Sequence, residues 1–72
     1  MKFYVQNTIT DEEIKFSSLK KAVEHCVALK DMNTLIHIGG YNLDYYIAGD
    51  TFDTLYARCK EILDTIKKER LI

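Results

Sequence analysis

Twice along this chain the spacing of apolar residues changes from two to about 3.6, as it does where a strand runs into a helix. The first change leads from Ile14-Lys15-Phe16 through Ser17-Ser18 into Leu19-Lys20-Lys21-Ala22-Val23-Glu24-His25-Cys26. The second leads from Ile47-Ala48 through Gly49-Asp50-Thr51 into Phe52-Asp53-Thr54-Leu55-Tyr56-Ala57-Arg58-Cys59. The two stretches superpose without a gap at a shift of 33 residues, with a cysteine at the same helical position in each. Each has an apolar residue, a short polar segment able to cap a helix, and an amphipathic run.

An alternating segment lies upstream of each junction. Phe3 and Val5 alternate with Lys2, Tyr4 and Gln6, and Ile36 and Ile38 alternate with Leu35 and His37. The polar residues 8–12 predict a hairpin connection to a strand over residues 13–16. Gly39-Gly40-Tyr41-Asn42 predicts a tight turn using positive φ. A fourth strand follows over residues 43–48, with Leu43, Tyr45 and Ile47 on one face. Ser17 or Ser18 caps the first helix, and Asp50 or Thr51 the second, because their side-chain oxygens accept from amides of the first turn.

Leu19, Ala22, Val23, Cys26 and Val27 form the apolar stripe of the first helix, which is predicted to end around Asp31 to Asn33. Phe52, Leu55, Tyr56, Cys59, Ile62, Leu63 and Ile66 form that of the second. Lys67, Lys68 and Arg70 crowd the end of this helix, where its dipole favours cations. Leu71-Ile72 is an apolar tail with no assigned role. Strand, strand, helix therefore occurs twice. The prediction is one α+β domain over residues 1–72, a two-layer sandwich in the order ββαββα, with a four-stranded antiparallel sheet and both helices on one face. A tandem ββα repeat would explain the order. Identity adds little to it: four of 39 aligned pairs match, against about two or three by chance.

Composition narrows the function classes. The chain has 72 residues, 47% hydrophobic and 29% charged, with a net charge of −1, which fits a folded domain rather than a disordered one. The balanced charge disfavours non-specific nucleic-acid binding, which needs a basic face. The apolar runs are far shorter than the ~20 residues of a membrane span, and the N-terminal segment lacks a signal-peptide pattern. The expectation is a cytoplasmic protein with no membrane partner, whose two cysteines are thiols.

No constellation of catalytic or cofactor-binding residues emerges. Cys26 and Cys59 fall on core faces away from helix N-termini, so neither is set up as a nucleophile. His25 and His37 are expected at the surface, and no Cys-x-x-Cys or His-x-x-x-His spacing supports a metal site. Gly39-Gly40 lacks the lysine of a phosphate loop. No catalytic residue, metal or cofactor is expected, and the protein is read as a non-enzyme.

The stretch Tyr45-Tyr46-Ile47-Ala48-Gly49-Asp50-Thr51-Phe52-Asp53-Thr54-Leu55 resembles the strand, Gly-Asp-Thr, helix step of HicB-like antitoxins. It covers about a dozen residues. The first junction has no Gly-Asp-Thr, and the Pro-Gly-Cys segment typical of that family is missing, so no function is carried over.

What remains is the face of the sheet that the helices do not cover. If Phe3, Val5, Ile14, Phe16, Ile36, Ile38 and Ile47 face the helices, then Lys2, Tyr4, Gln6, Glu13, Lys15, Leu35, His37, Asp44, Tyr46 and Ala48 face away. Tyrosine is enriched where a partner buries a surface. Tyr4, Leu35, His37 and Tyr46 are therefore the predicted partner-binding residues. The reading is a small binding protein acting through protein–protein contact, an inhibitor or accessory regulator of the kind encoded by phages and mobile elements. The alternative is a nucleic-acid-binding module using this face or the basic C-terminal helix end. A homodimer is a third reading.

Overall fold

The computed structural model describes residues 2–69; Met1, Arg70, Leu71 and Ile72 lie outside them, and with them the cation at position 70 and the apolar tail. Its elements are β1 (Phe3–Asn7), β2 (Glu13–Phe16), α1 (Leu19–Leu29), β3 (Thr34–Ile38), β4 (Tyr41–Tyr45) and α2 (Phe52–Lys68). The strands form one sheet in the order β2-β1-β3-β4, with every neighbouring pair antiparallel. Both helices lie side by side on one face of it. This is the α+β sandwich in the order ββαββα that the two changes of period predict.

Local chemistry sets the helix ends. Ser18 has extended backbone and its side chain accepts from the Lys21 N–H at 3.3 Å, so of the two serines it is the cap. Lys30 adopts a left-handed φ of 53° and donates its N–H to the Cys26 carbonyl, which closes α1 at Leu29, ahead of the predicted end. At α2, Thr51 accepts from the Thr54 N–H at 3.3 Å and donates its own N–H to the Thr54 hydroxyl at 2.9 Å. That reciprocal box satisfies two first-turn amides at once.

The core lies between the layers. Phe3, Val5, Ile36, Ile38, Leu43 and Tyr46 meet Leu19, Ala22, Val23 and Cys26 of α1 and Leu55, Cys59, Leu63 and Ile66 of α2. Each large apolar side chain enclosed here contributes about 1.5–3 kcal/mol over its exposed state.

The two ββα units meet at the β1–β3 ladder, where Tyr4 stands opposite His37, the residue that the 33-residue shift matches to it. The helices keep that match: Ser18 and Thr51 are both caps, and Cys26 and Cys59 are both fully buried. The hairpins do not. The first connection runs over residues 8–12, whereas the second is the tight turn at Gly39-Gly40, with φ of 47° and 95°. The residues this saves appear after β4 as a loop over residues 46–51. Ile14 therefore sits within a strand and Ile47 within a loop, and the gap-free superposition of the junctions is not a structural equivalence.

The fourth strand departs from the predicted phase. Ile36 pairs with Asp44 but His37 pairs with Asn42, so Leu43 has no residue opposite it. This β-bulge shifts the alternation by one from that point. Asp44 and Tyr46 turn toward the helices, and Tyr45 turns away. The Tyr46 N–H continues the ladder by donating to the Thr34 carbonyl at 3.1 Å, so Tyr46 lies across from the buried Thr34.

Candidate functional site

The face of the sheet turned from the helices carries Glu13 and Lys15 on β2, Tyr4 and Gln6 on β1, Leu35 and His37 on β3, and Asn42 and Tyr45 on β4. At its centre the Tyr4 and His37 rings stack, with centroids 5.2 Å apart and planes within 15°. His37 Nε2 lies 2.9 Å from Glu13 Oε2, which reaches across β1 to meet it. The stack and the hydrogen bond fix the imidazole from two directions and leave its side chain 14% exposed. His37 is therefore half-buried rather than a free surface histidine.

Leu35 is only 5% exposed, yet it belongs to no part of the core between the layers. Its direct neighbours are Gln6 on one side and Tyr45 on the other. Tyr45 is 45% exposed, and Ile47 in the following loop is also open to solvent. The structure thus brings together three of the predicted residues, Tyr4, Leu35 and His37. It removes the fourth: Tyr46 is 6% exposed and packed into the core, because the bulge at Leu43 reverses its direction. Tyr45 takes its place on the face. Ala48 lies beyond the strand, and Asp44 points to α2.

Asp44 exposes the signal that would have given the phase. Arg58 of α2 donates Nε–H to Asp44 Oδ2 at 2.8 Å, and its two terminal nitrogens donate to both oxygens of Asp50 at 2.7 and 2.8 Å. It also reaches the Tyr45 carbonyl at 3.2 Å. A carboxylate in mid-strand and an arginine on the apolar side of the following helix are partners only if both face inward. The Arg58 guanidinium holds the Asp50 carboxyl well below the usual range against the opposing effect of burial, helped by the Ile47 N–H and the Thr54 hydroxyl. Every charged group in this knot has a partner, so it locks the β4–α2 junction.

A cleft of about 290 Å³ opens on the helix side of the β2 edge, between Val5, Ile14, His25, Leu29 and Thr34. Ile14 faces the helices as its pairing with Val5 requires, but it lies beyond the cover of α1 and is 49% exposed. His25 also departs from the expected surface position. Its ring packs on Phe16 at 5.2 Å, and its Nε2 is buried without a hydrogen-bond partner.

Cys26 and Cys59 are fully buried free thiols. Burial first, and nearby carboxylates second, push their pKa values up to about 11 and about 12. These thiols stay protonated and inert at neutral pH. Among the described residues no group of three or more His, Cys, Asp or Glu side chains is placed to hold a metal ion, and no helix is long and apolar enough to cross a membrane. In comparisons with known proteins, no family model, no curated protein and no solved structure matches the chain.

Proposed function

We propose that the protein is a binding protein that takes a protein partner on the helix-free face of its sheet and so acts as an inhibitor or accessory regulator. The observation that carries this reading is the composition and order of that face. Tyr4, His37, Leu35 and Tyr45 form two adjacent cross-strand rows. Aromatic side chains give large contact area for little conformational entropy. The Tyr4–His37 stack, held further by Glu13, is ordered before any partner arrives, which lowers the entropic cost of binding. Basic side chains on the paired residues of this face are limited to Lys15, and Glu13 lies beside it, so a polyanion is a poor fit.

The test is affinity capture on the immobilised chain, comparing wild type with Tyr45→Asp and with a control substitution on the exposed helix surface, Glu61→Lys. Tyr45→Asp should lose a partner that wild type and control retain, at an unchanged melting temperature. Retention of the same partners by all three would overturn the reading. So would a strong mobility shift with an oligonucleotide that fades steeply with salt, which belongs to the nucleic-acid alternative.

A further inference from the structure

The two edges of the sheet differ. β4 is interrupted by its bulge, whereas β2 pairs with β1 in unbroken register from Phe3↔Phe16 to Gln6↔Glu13 and has no strand on its outer side among the described residues. The direction of its backbone groups follows from the ladder. The Asn7 N–H donates to the Glu12 carbonyl at 2.8 Å. In an antiparallel pair, hydrogen-bonded positions alternate with positions whose groups point apart. Val5↔Ile14 is thus a bonded pair, while the N–H and C=O of Glu13 and Lys15 point outward. The β1–β3 ladder agrees: the Thr8 N–H donates to the Asn33 carbonyl at 2.8 Å, which makes Gln6↔Leu35 and Tyr4↔His37 bonded pairs, as the same alternation along β1 requires.

We infer that the free edge of β2 pairs with β2 of a second copy of this chain, antiparallel and about a two-fold axis at Ile14, to give an eight-stranded sheet. The sequence Glu13-Ile14-Lys15 complements itself in that arrangement alone. With Ile14 opposite the partner's Ile14, each Glu13 lies opposite the partner's Lys15. The outward N–H and C=O of Glu13 then meet those of the partner's Lys15, and Ile14 forms the close, non-hydrogen-bonded pair at the centre. A register centred on Glu13 or on Lys15 would instead set like charges opposite each other, which destabilises a cross-strand pair. A lysine on an edge strand ordinarily discourages pairing. Here it has an acidic residue waiting for it. Glu13 keeps one oxygen for this contact, since Oε2 is the atom that meets His37.

The helices leave room for the pairing. α1 is centred over β1, with β3 on one side and β2 on the other, so two α1 helices would stand about three strand spacings, ~14 Å, apart, more than the ~8–10 Å of packed helices. The gap between them receives Ile14 and Leu29, two large apolar residues left about half exposed beside the cleft. The pairing also joins two helix-free faces into one continuous surface.

Sedimentation equilibrium of the full chain over a concentration series tests this. The mass should rise toward twice 8.4 kDa. Lys15→Glu should raise the dimer dissociation constant about tenfold or more, with a melting temperature that matches wild type at concentrations where both are monomeric. Glu13→Lys should raise it likewise, and an equimolar mixture of these two variants should recover a heterodimer, because every opposed pair is then of opposite sign. Lys15→Pro removes an N–H that the monomer's ladder does not use and should leave a folded monomer. The inference is overturned by a wild-type chain that stays monomeric throughout, by Lys15→Glu associating as tightly as wild type, or by a mixture that gives no heterodimer.

Discussion

Arg58 holds the carboxylates of Asp44 and Asp50 and the carbonyl of Tyr45 at once. Asp50 is the partner that depends on it most, with its side chain 6% exposed. Replacing Arg58 by Met keeps most of the aliphatic packing but leaves an enclosed carboxylate without its cation. Urea denaturation of Arg58→Met should show a loss of about 3 kcal/mol. The same pairing gives the stability a pH dependence of defined sign. Asp50 has a folded-state pKa below that of the unfolded chain. Its stabilising effect is therefore complete above the ordinary aspartate value of about 3.9 and declines as pH falls below it. Melting temperatures measured from pH 6 down to about pH 2 should fall more steeply for wild type than for Asp50→Asn, which has no proton to take up there.

Among the elements, β4 offers the sharpest contrast between adjacent residues. Tyr45 and Tyr46 are the same side chain on opposite sides of the sheet. Tyr46→Ala should cost about 3–5 kcal/mol by opening the core, and Tyr45→Ala about 0.5 kcal/mol or less, both read from chemical denaturation. The reverse order, with Tyr45→Ala the costlier of the two, would mean that the strand keeps an unbroken alternation. The element order, the caps at Ser18 and Thr51 and the inward faces of β1 and β3 are legible in the chain, because each rests on a local period or a local hydrogen bond. The phase of β4 is not. Leu43, Tyr45, Tyr46 and Ile47 offer apolar residues to either face, and a bulge leaves no mark on hydrophobic spacing. The outward placement of Tyr4, Leu35 and His37 was readable for the opposite reason, since Phe3, Val5, Ile36 and Ile38 commit their strands without ambiguity. Ile14 lies on the side its period predicts, but its exposure depends on how far α1 extends over the edge, which no local pattern encodes.

For the molecule as a whole, the boundary between the two ββα units is a junction rather than a division. Their ladder, β1 with β3, runs through the middle of the sheet, and the core takes residues from both units without a break. Neither unit can enclose its apolar face alone, and a chain of this length has a small margin of stability to begin with. Synthetic halves ending and beginning near Met32, in the turn between α1 and β3, should each be disordered by circular dichroism. Mixed together they should recover helix and sheet signal, since the missing contacts are intermolecular only in name. A half that folds alone would show a unit that carries its own core.

The bulge in β4 also sets a limit on stoichiometry. A sheet whose two edges are both straight and unpaired has no reason to stop recruiting copies, and continued addition gives fibres. In this chain one edge is kinked by the unpaired Leu43 and the other is self-complementary. In the proposed β2–β2 pairing, joining like edge to like edge would consume the straight one and turn the kinked edge to both ends of the assembly. Growth by strand addition would then terminate at a closed pair, with a single extra residue in one strand separating a finite particle from an open-ended filament.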